Sequence, residues 1–511
     1  MRSIATILIA SAVAVCLLAG CFGGWKDLPV GPDKIAFVEA LKRNDVEAVR
    51  QLITKDPSLV NCKMTYDDDS PLQVTLDSPD MMRLLIELGA EISYVNKRGL
   101  TALSKSAANG NLTAMSILLE NGAVTDHRNS EGRTALSFAA SNGNNAGVEY
   151  LLTRDAAVNL ADNNGDTPLH WVCRSAYTTW GSPPYQEDGF NAVGRLLLAH
   201  GATVTGCGKG GDTPLHLAAA KGREDLAQLL VASNANIEAR DNTEATPLLW
   251  ATGKATSFLV LGGANANASD NEGRTRLHYY EGLLETFQLL VGHGADVNAK
   301  TVKGLTPLHY QHTKNVAAYL IDQGANLNAQ NDGNFTPLHY MVIDYMNDEE
   351  KPSCSPMTLA RLYIERGADV NLLDKYGRNP LFYTVSLYTN PGYGPTLFNA
   401  LIAAGSRADI VDYEGVSPVH YAAGVSFYML QTLIEHGAPV NPRTQRELDV
   451  IIETSSGGFY NIYTGLPVNY IIQHRFPAGV TPLTIAKKVG LSSSNTPPTP
   501  VDYLIQHGGV E

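Results

Sequence analysis

The sequence predicts an all-α solenoid of about 13 helix-turn-helix units with finger loops and several insertions. Three observations predict it. A short pattern, fullest at Gly211-Asp212-Thr213-Pro214-Leu215-His216-Leu217-Ala218-Ala219-Ala220, returns with variations. Its Thr213 position recurs at Ser70, Thr101, Thr134, Thr167, Thr246, Thr275, Thr306, Thr336, Asn379, Ser417 and Thr481. The spacings, 31, 33, 33, 46, 33, 29, 31, 30, 43, 38 and 64 residues, cluster near 33 with four lengthened. Thirdly, a second apolar run often follows and closes on a glycine, at Gly89, Gly122, Gly201, Gly294, Gly324, Gly367, Gly405 and Gly437. Stacking is the physical solution when no single helix pair buries both of its faces.

Each letter has a local reason. A Thr or Ser oxygen caps a helix by accepting an orphan N–H. Proline fits the first helical position, where its missing N–H costs nothing. Leu215, Ala218 and Ala219 allow neighbouring helices to approach closely. A glycine after the second helix suits a left-handed cap. A T-P-L-H-x-A core at this period is the signature of ankyrin repeats, and the chain resembles that family over roughly residues 33–511. The resemblance implies one continuous array of helix pairs and projecting fingers, binding other proteins by surface complementarity without cofactor or chemistry. Such an array would run on the order of 100 Å at ordinary helix-packing distances. It would offer several times the area of a standard interface of about 1,600 Å². Fold alone does not name a partner.

In chain order, residues 1–20 carry a basic start, an apolar run from Ile4 to Leu18, and Leu18-Ala19-Gly20 before Cys21. The apolar run is short for a membrane span and suits a signal peptide. Leu-Ala-Gly-Cys resembles the lipobox of bacterial lipoproteins. That resemblance implies cleavage before Cys21 and acyl chains, palmitate among them, on the new first residue. Phe22, rather than Asp, implies the outer membrane facing the periplasm. An ordinary signal peptide or uncleaved anchor is the alternative. Residues 21–32 read as the lipidated tether, and residues 33–61 as a capping unit of two short helices joined at Asn44-Asp45.

The array then runs to residue 511. Repeats across 244–333 are compressed, which predicts shorter helices there. Insertions fall at about 175–190, 342–357, 388–395 and 441–479. In the last, the β-prone runs Asp449–Glu453 and Phe459–Tyr463 flank Ser455-Ser456-Gly457-Gly458 and predict a hairpin. Tyr177, Trp180, Tyr185, Tyr345, Tyr393, Phe459, Tyr460 and Tyr463 lie in these insertions, outside the demands of the repeat. They either pack the insertions down or contact a protein partner.

Composition and motifs narrow the chemistry. With 38 basic against 51 acidic residues the net charge is −13, which argues against nucleic acid. Six histidines (His170, His216, His278, His309, His339, His420) sit at the fourth position of the repeat, and four more precede a helix-ending glycine. Period-locked histidines do not converge on one ion, so no metal is expected. Gly206-Cys207-Gly208-Lys209-Gly210-Gly211 matches G-x-G-x-x-G but falls in a finger, without the βαβ context a dinucleotide needs. Tyr66-Asp67-Asp68-Asp69 lacks the rest of a calcium loop and reads as a solvated acidic finger. The aromatics after the motif histidines (Trp171, Tyr279, Tyr310, Tyr340, Tyr421) read as core. No nucleophile or zinc motif appears, so no catalytic residue, cofactor or small-molecule substrate is assigned. Cys173 and Cys207 share one enlarged unit and form the candidate disulfide, the alternative being free thiols. The expected function is a lipid-anchored protein-interaction module. It would bind and neutralise a periplasmic or secreted protein, such as a toxin or hydrolase, as an immunity-like inhibitor does. The alternative is a multi-partner periplasmic scaffold or assembly factor. An enzyme would need a polar pocket built on the insertions.

Overall fold

The computed structural model describes residues 32–175, 187–279, 283–347, 356–386, 394–445, 448–453, 459–460, 467–468, 471–476, 478–489 and 499–510. The chain divides into two compact units, Met1–Ala264 and Asn265–Glu511. Each is a stack of helical hairpins.

In the first unit the capping pair Pro32–Lys42 and Val46–Lys55 turns at Asn44, whose φ is +53°, and Asp45 caps the second helix by accepting the Ala48 N–H. Further pairs follow, among them Ala102–Asn109 with Leu112–Glu120, Ala135–Ser141 with Asn145–Leu152, and Pro214–Ala220 with Glu224–Ala232. First helices pack on first helices and second on second. Leu103, Leu136, Leu169, Leu215 and Leu248, one per repeat, are each at most 2% exposed. The small residues Ala107, Ala139, Ala140, Ala218 and Ala219 are fully buried beside them. Burying one such leucine is worth about 1.5–3 kcal/mol, and only the neighbouring repeat supplies the cover.

Compression falls on the first helices. Pro247–Trp250 is a four-residue helix, and Arg276–His278 and Pro307–Tyr310 are single 3₁₀ turns. Their partners Gly253–Leu261, Leu284–Gly292 and Lys314–Asp322 keep nine residues each. The missing residues thus come out of one helix of each pair and leave the other whole.

In the second unit an asparagine ladder joins successive repeats. Asn298 donates to Gly324 O at 3.0 Å and accepts the Asn326 N–H at 2.8 Å. Asn267, Asn371 and Asn441 repeat the same pair of bonds onto Gly294 and Asp296, Gly405 and Arg407, and Gly508 and Val510. The final insertion holds strands rather than the hairpin expected. β1 (Leu448–Glu453) pairs antiparallel with β4 (Ile471–Phe476), and β2 (Phe459–Tyr460) with β3 (Pro467–Val468). Phe459 therefore pairs with Val468, not with the Asp449–Glu453 run. β-propensity marked β1 and the run that holds β2 but neither of their partners β3 and β4, and it carried no register.

Candidate functional site

The polar groups sort into buried ones that join repeats and exposed ones at the finger tips. All six motif histidines belong to the first class. In the repeat Thr306-Pro307-Leu308-His309, His309 Nδ1 accepts the N–H of the cap residue Thr306 at 3.0 Å, and its Nε2 donates to Phe335 O at 3.1 Å. His170, His216, His278, His339 and His420 likewise accept the N–H of their own cap residue at Nδ1. Their Nε2 atoms donate to the Gly206, Ala245, Leu305, Arg378 and Val480 carbonyls of the following repeat at 3.0–3.3 Å. Both ring nitrogens are used, so each imidazole is a neutral staple between repeats. Burial lowers the pKa of all six, and takes His309, His339 and His420 to about 4. In the Ser70 repeat Gln73 does the same work: its Oε1 accepts the Ser70 N–H at 2.9 Å and its Nε2 donates to Leu100 O at 2.6 Å.

The fingers are built by a second rule. An Asn or Asp five residues before the cap accepts two backbone N–H groups: Asp162 Oδ1 takes those of Asn164 and Asp166, and Asp270 Oδ1 those of Glu272 and Arg274. Successive tips then bond through the main chain. In the first unit Lys97 N–H donates to Asp67 O, Ser130 to Arg98, Asn163 to Glu131, Lys209 to Asn164 and Asn242 to Gly210. In the second, Val302 donates to Glu272, Asp332 to Lys303, Lys375 to Gly333 and Tyr413 to Tyr376. This close approach is why glycine recurs in the fingers. At Gly132 the φ is +82° and a Cβ would lie 2.8 Å from Asn163 N.

Among the described residues, the one four before each cap is an exposed tip. Tyr66 is 75% exposed, Tyr413 71% and Val302 65%. Sequence reasoning assigned none of these three to binding; counting back from the cap would have found them. The residues it favoured are placed differently. Tyr177, Trp180, Tyr185, Tyr393 and Tyr463 lie outside the described residues, as does Cys21. Tyr345 falls on the helix Pro337–Asn347, and Phe459 and Tyr460 form β2. The candidate disulfide is not formed. Cys173 is a free thiol buried inside its helix, whereas Cys207 is a free thiol exposed on the finger. One side chain faces the packed helices and the other faces solvent, although both belong to one enlarged unit.

Two further expectations change. The acidic finger is not simply solvated: Asp68 pairs with Lys63 at 2.6 Å, and Asp69, 6% exposed, pairs with Lys105 at 2.8 Å. The aromatics after the histidines are half-buried rather than core, Tyr421 excepted. Three of them spend their polar atom on a finger: Trp171 Nε1 donates to Asp162 Oδ2 at 3.1 Å, Tyr279 OH donates to Asp270 Oδ2 at 3.5 Å, and Tyr340 OH accepts from Asn331 Nδ2 at 3.2 Å. The G-x-G-x-x-G run lies in a finger between the helices Glu187–Ala199 and Pro214–Ala220. Among the described residues no group of three or more His, Cys, Asp or Glu is placed to hold a metal ion, and no helix is long and apolar enough to cross a membrane.

Comparison with known proteins agrees with this architecture. The family described as "Ankyrin repeats (3 copies)" matches residues 37–129 and 280–347, "Ankyrin repeats (many copies)" matches 118–171, and "Ankyrin repeat" matches 210–242. Among solved structures, the ankyrin repeat domain of Bcl-3, described as a unique member of the IkappaB protein family, is similar at 24% identity and a TM-score of 0.38, over 46% of this chain and 100% of that one. The human ASB11 ankyrin repeat domain is similar at 23% identity and a TM-score of 0.37, over 45% of this chain and 97% of that one. Residues 37–171, 210–242 and 280–347 thus carry ankyrin repeats, and each of the two units is built of stacked helix pairs.

Proposed function

We propose that this chain is a protein-binding repeat array, held on a bacterial envelope by acyl chains at Cys21, that captures and neutralises one periplasmic or secreted protein. Ankyrin repeats are a protein-protein interaction module, typically a non-enzymatic one. The observation that carries the reading is the division of labour in the fingers. Within each unit main-chain bonds tie each tip to the next, and they leave side chains exposed at the tips, Tyr66 in the first unit and Val302 and Tyr413 in the second. A row of side chains on a braced frame costs little entropy to dock, which favours tight association. The Leu-Ala-Gly-Cys run supports the anchor and the placement outside the cytoplasm.

Affinity purification of the full-length chain from detergent-solubilised membranes tests this. One stoichiometric protein is expected, and a strain lacking the chain should be injured by that protein. Recovery of no protein overturns the reading. A second reading, a multi-partner scaffold, is favoured by the presence of a finger row in each of the two units; several substoichiometric partners would select it.

A further inference from the structure

Three repeats place an arginine immediately before the cap: Arg133, Arg274 and Arg378. Two of these guanidinium groups are neutralised within the chain. Arg274 Nε donates to Asp270 Oδ2 at 2.7 Å, with Glu272 at 3.3 Å. Arg378 donates to Asp412 Oδ2 of the next finger through Nε at 2.8 Å and Nη2 at 2.6 Å. Arg133 has neither solution. The position that Asp270 holds in its finger is Asn129 here, whose Oδ1 already accepts the Glu131 and Arg133 N–H groups at 3.1 and 2.7 Å. What remains of that amide is its nitrogen, a donor where a carboxylate would offer an acceptor. In the next finger Asp162 Oδ2 is engaged by Trp171 Nε1.

The result is a half-buried cation with no carboxylate within 4 Å among the described residues. Its Nη2 donates to Ser141 Oγ at 2.9 Å and Ser137 O at 3.3 Å, while its buried Nε has no hydrogen-bond partner. Its Cζ lies 4.0 Å from the Phe138 ring centroid and 3.7 Å from that of Trp171. Burial outweighs the more distant Glu131, Asp162 and Asp166, and with the like charge of Arg98 it takes the pKa down to about 10. A cation so placed gains from any anion brought to it.

We propose that the fingers of the first unit receive an acidic segment of the protein partner, with one of its carboxylates seated on Arg133 beside Phe138 and Trp171. This rests on the protein-binding reading above and specifies the partner's chemistry. Arg98, on the preceding finger, and Arg128, on the same finger, are exposed, carry no ion pair among the described residues and extend the cationic surface.

Calorimetric titration of the full chain with a capped peptide of alternating glutamate and glycine tests it. Binding is expected, with none for the lysine counterpart. Arg133→Gln should weaken binding about tenfold or more, as loss of a charge-assisted bond does. Asn129→Asp should do the same while raising Tm, because it supplies the missing carboxylate inside the chain as Asp270 does for Arg274. Arg195→Gln, the same charge change on the helix Glu187–Ala199, should leave binding unchanged. Absence of peptide binding, or binding by Arg133→Gln and Asn129→Asp as tight as that of the unaltered chain, overturns the proposal. If those two variants still recover the natural partner from membranes, the array binds protein at another surface and only this inference falls.

Discussion

The buried histidines make stability depend on pH. An unfolded histidine takes a proton near pH 6.5, whereas His309, His339 and His420 stay neutral in the fold down to about pH 4. Between those values the unfolded chain holds more protons, so stability is complete above the upper one and falls as pH drops through the window. Each such histidine forfeits on the order of 2–3 kcal/mol. Urea titrations at pH 7 and pH 4.5 should show the loss. His339→Gln should reduce the pH slope by about one proton while keeping the staple, as Gln73 does naturally. An unchanged slope would mean His339 does not titrate in this way.

Elements are set by caps, length and turn geometry. Gly324, after the helix Lys314–Asp322, has a φ of +90° with nothing within 4 Å of a Cβ. Gly324→Ala should therefore cost about 1 kcal/mol through backbone strain alone, seen as a lower Tm, with no clash to relax. Amide exchange should be faster in the 3₁₀ turn Arg276–His278 than in the helix Pro214–Ala220, because a single turn has little helix to protect it. Much of this was legible beforehand. The cap, the proline after it and the glycine after the second helix are local signals, and spacing called for shorter helices across 244–333 without showing that the first helix of each pair alone would shorten. The asparagine and histidine bonds between repeats were not legible as bonds, because each joins residues 26 to 69 positions apart. The missing counter-charge of Arg133 could be read only by comparing three repeats in space, and the register of β1 with β4 only from the coordinates.

At the scale of the molecule, local interfaces replace a single core. Exchange protection should fall toward the helix Pro32–Lys42, which packs chiefly on Val46–Lys55 rather than between two repeats. The proposed lipidation belongs to the same scale. Cys21→Ser should move the chain from the membrane to the soluble fraction without altering its thermal unfolding, since Cys21 precedes the first described helix. Continued membrane association of that variant would remove the anchor from the account.

The tip-to-tip bonds carry one last consequence. Because they run through peptide groups, the letters at the tips can be rewritten without loosening the frame that displays them. A lineage could change its target by exchanging a handful of residues such as Tyr66, Val302 and Tyr413, and inherit the scaffold unaltered.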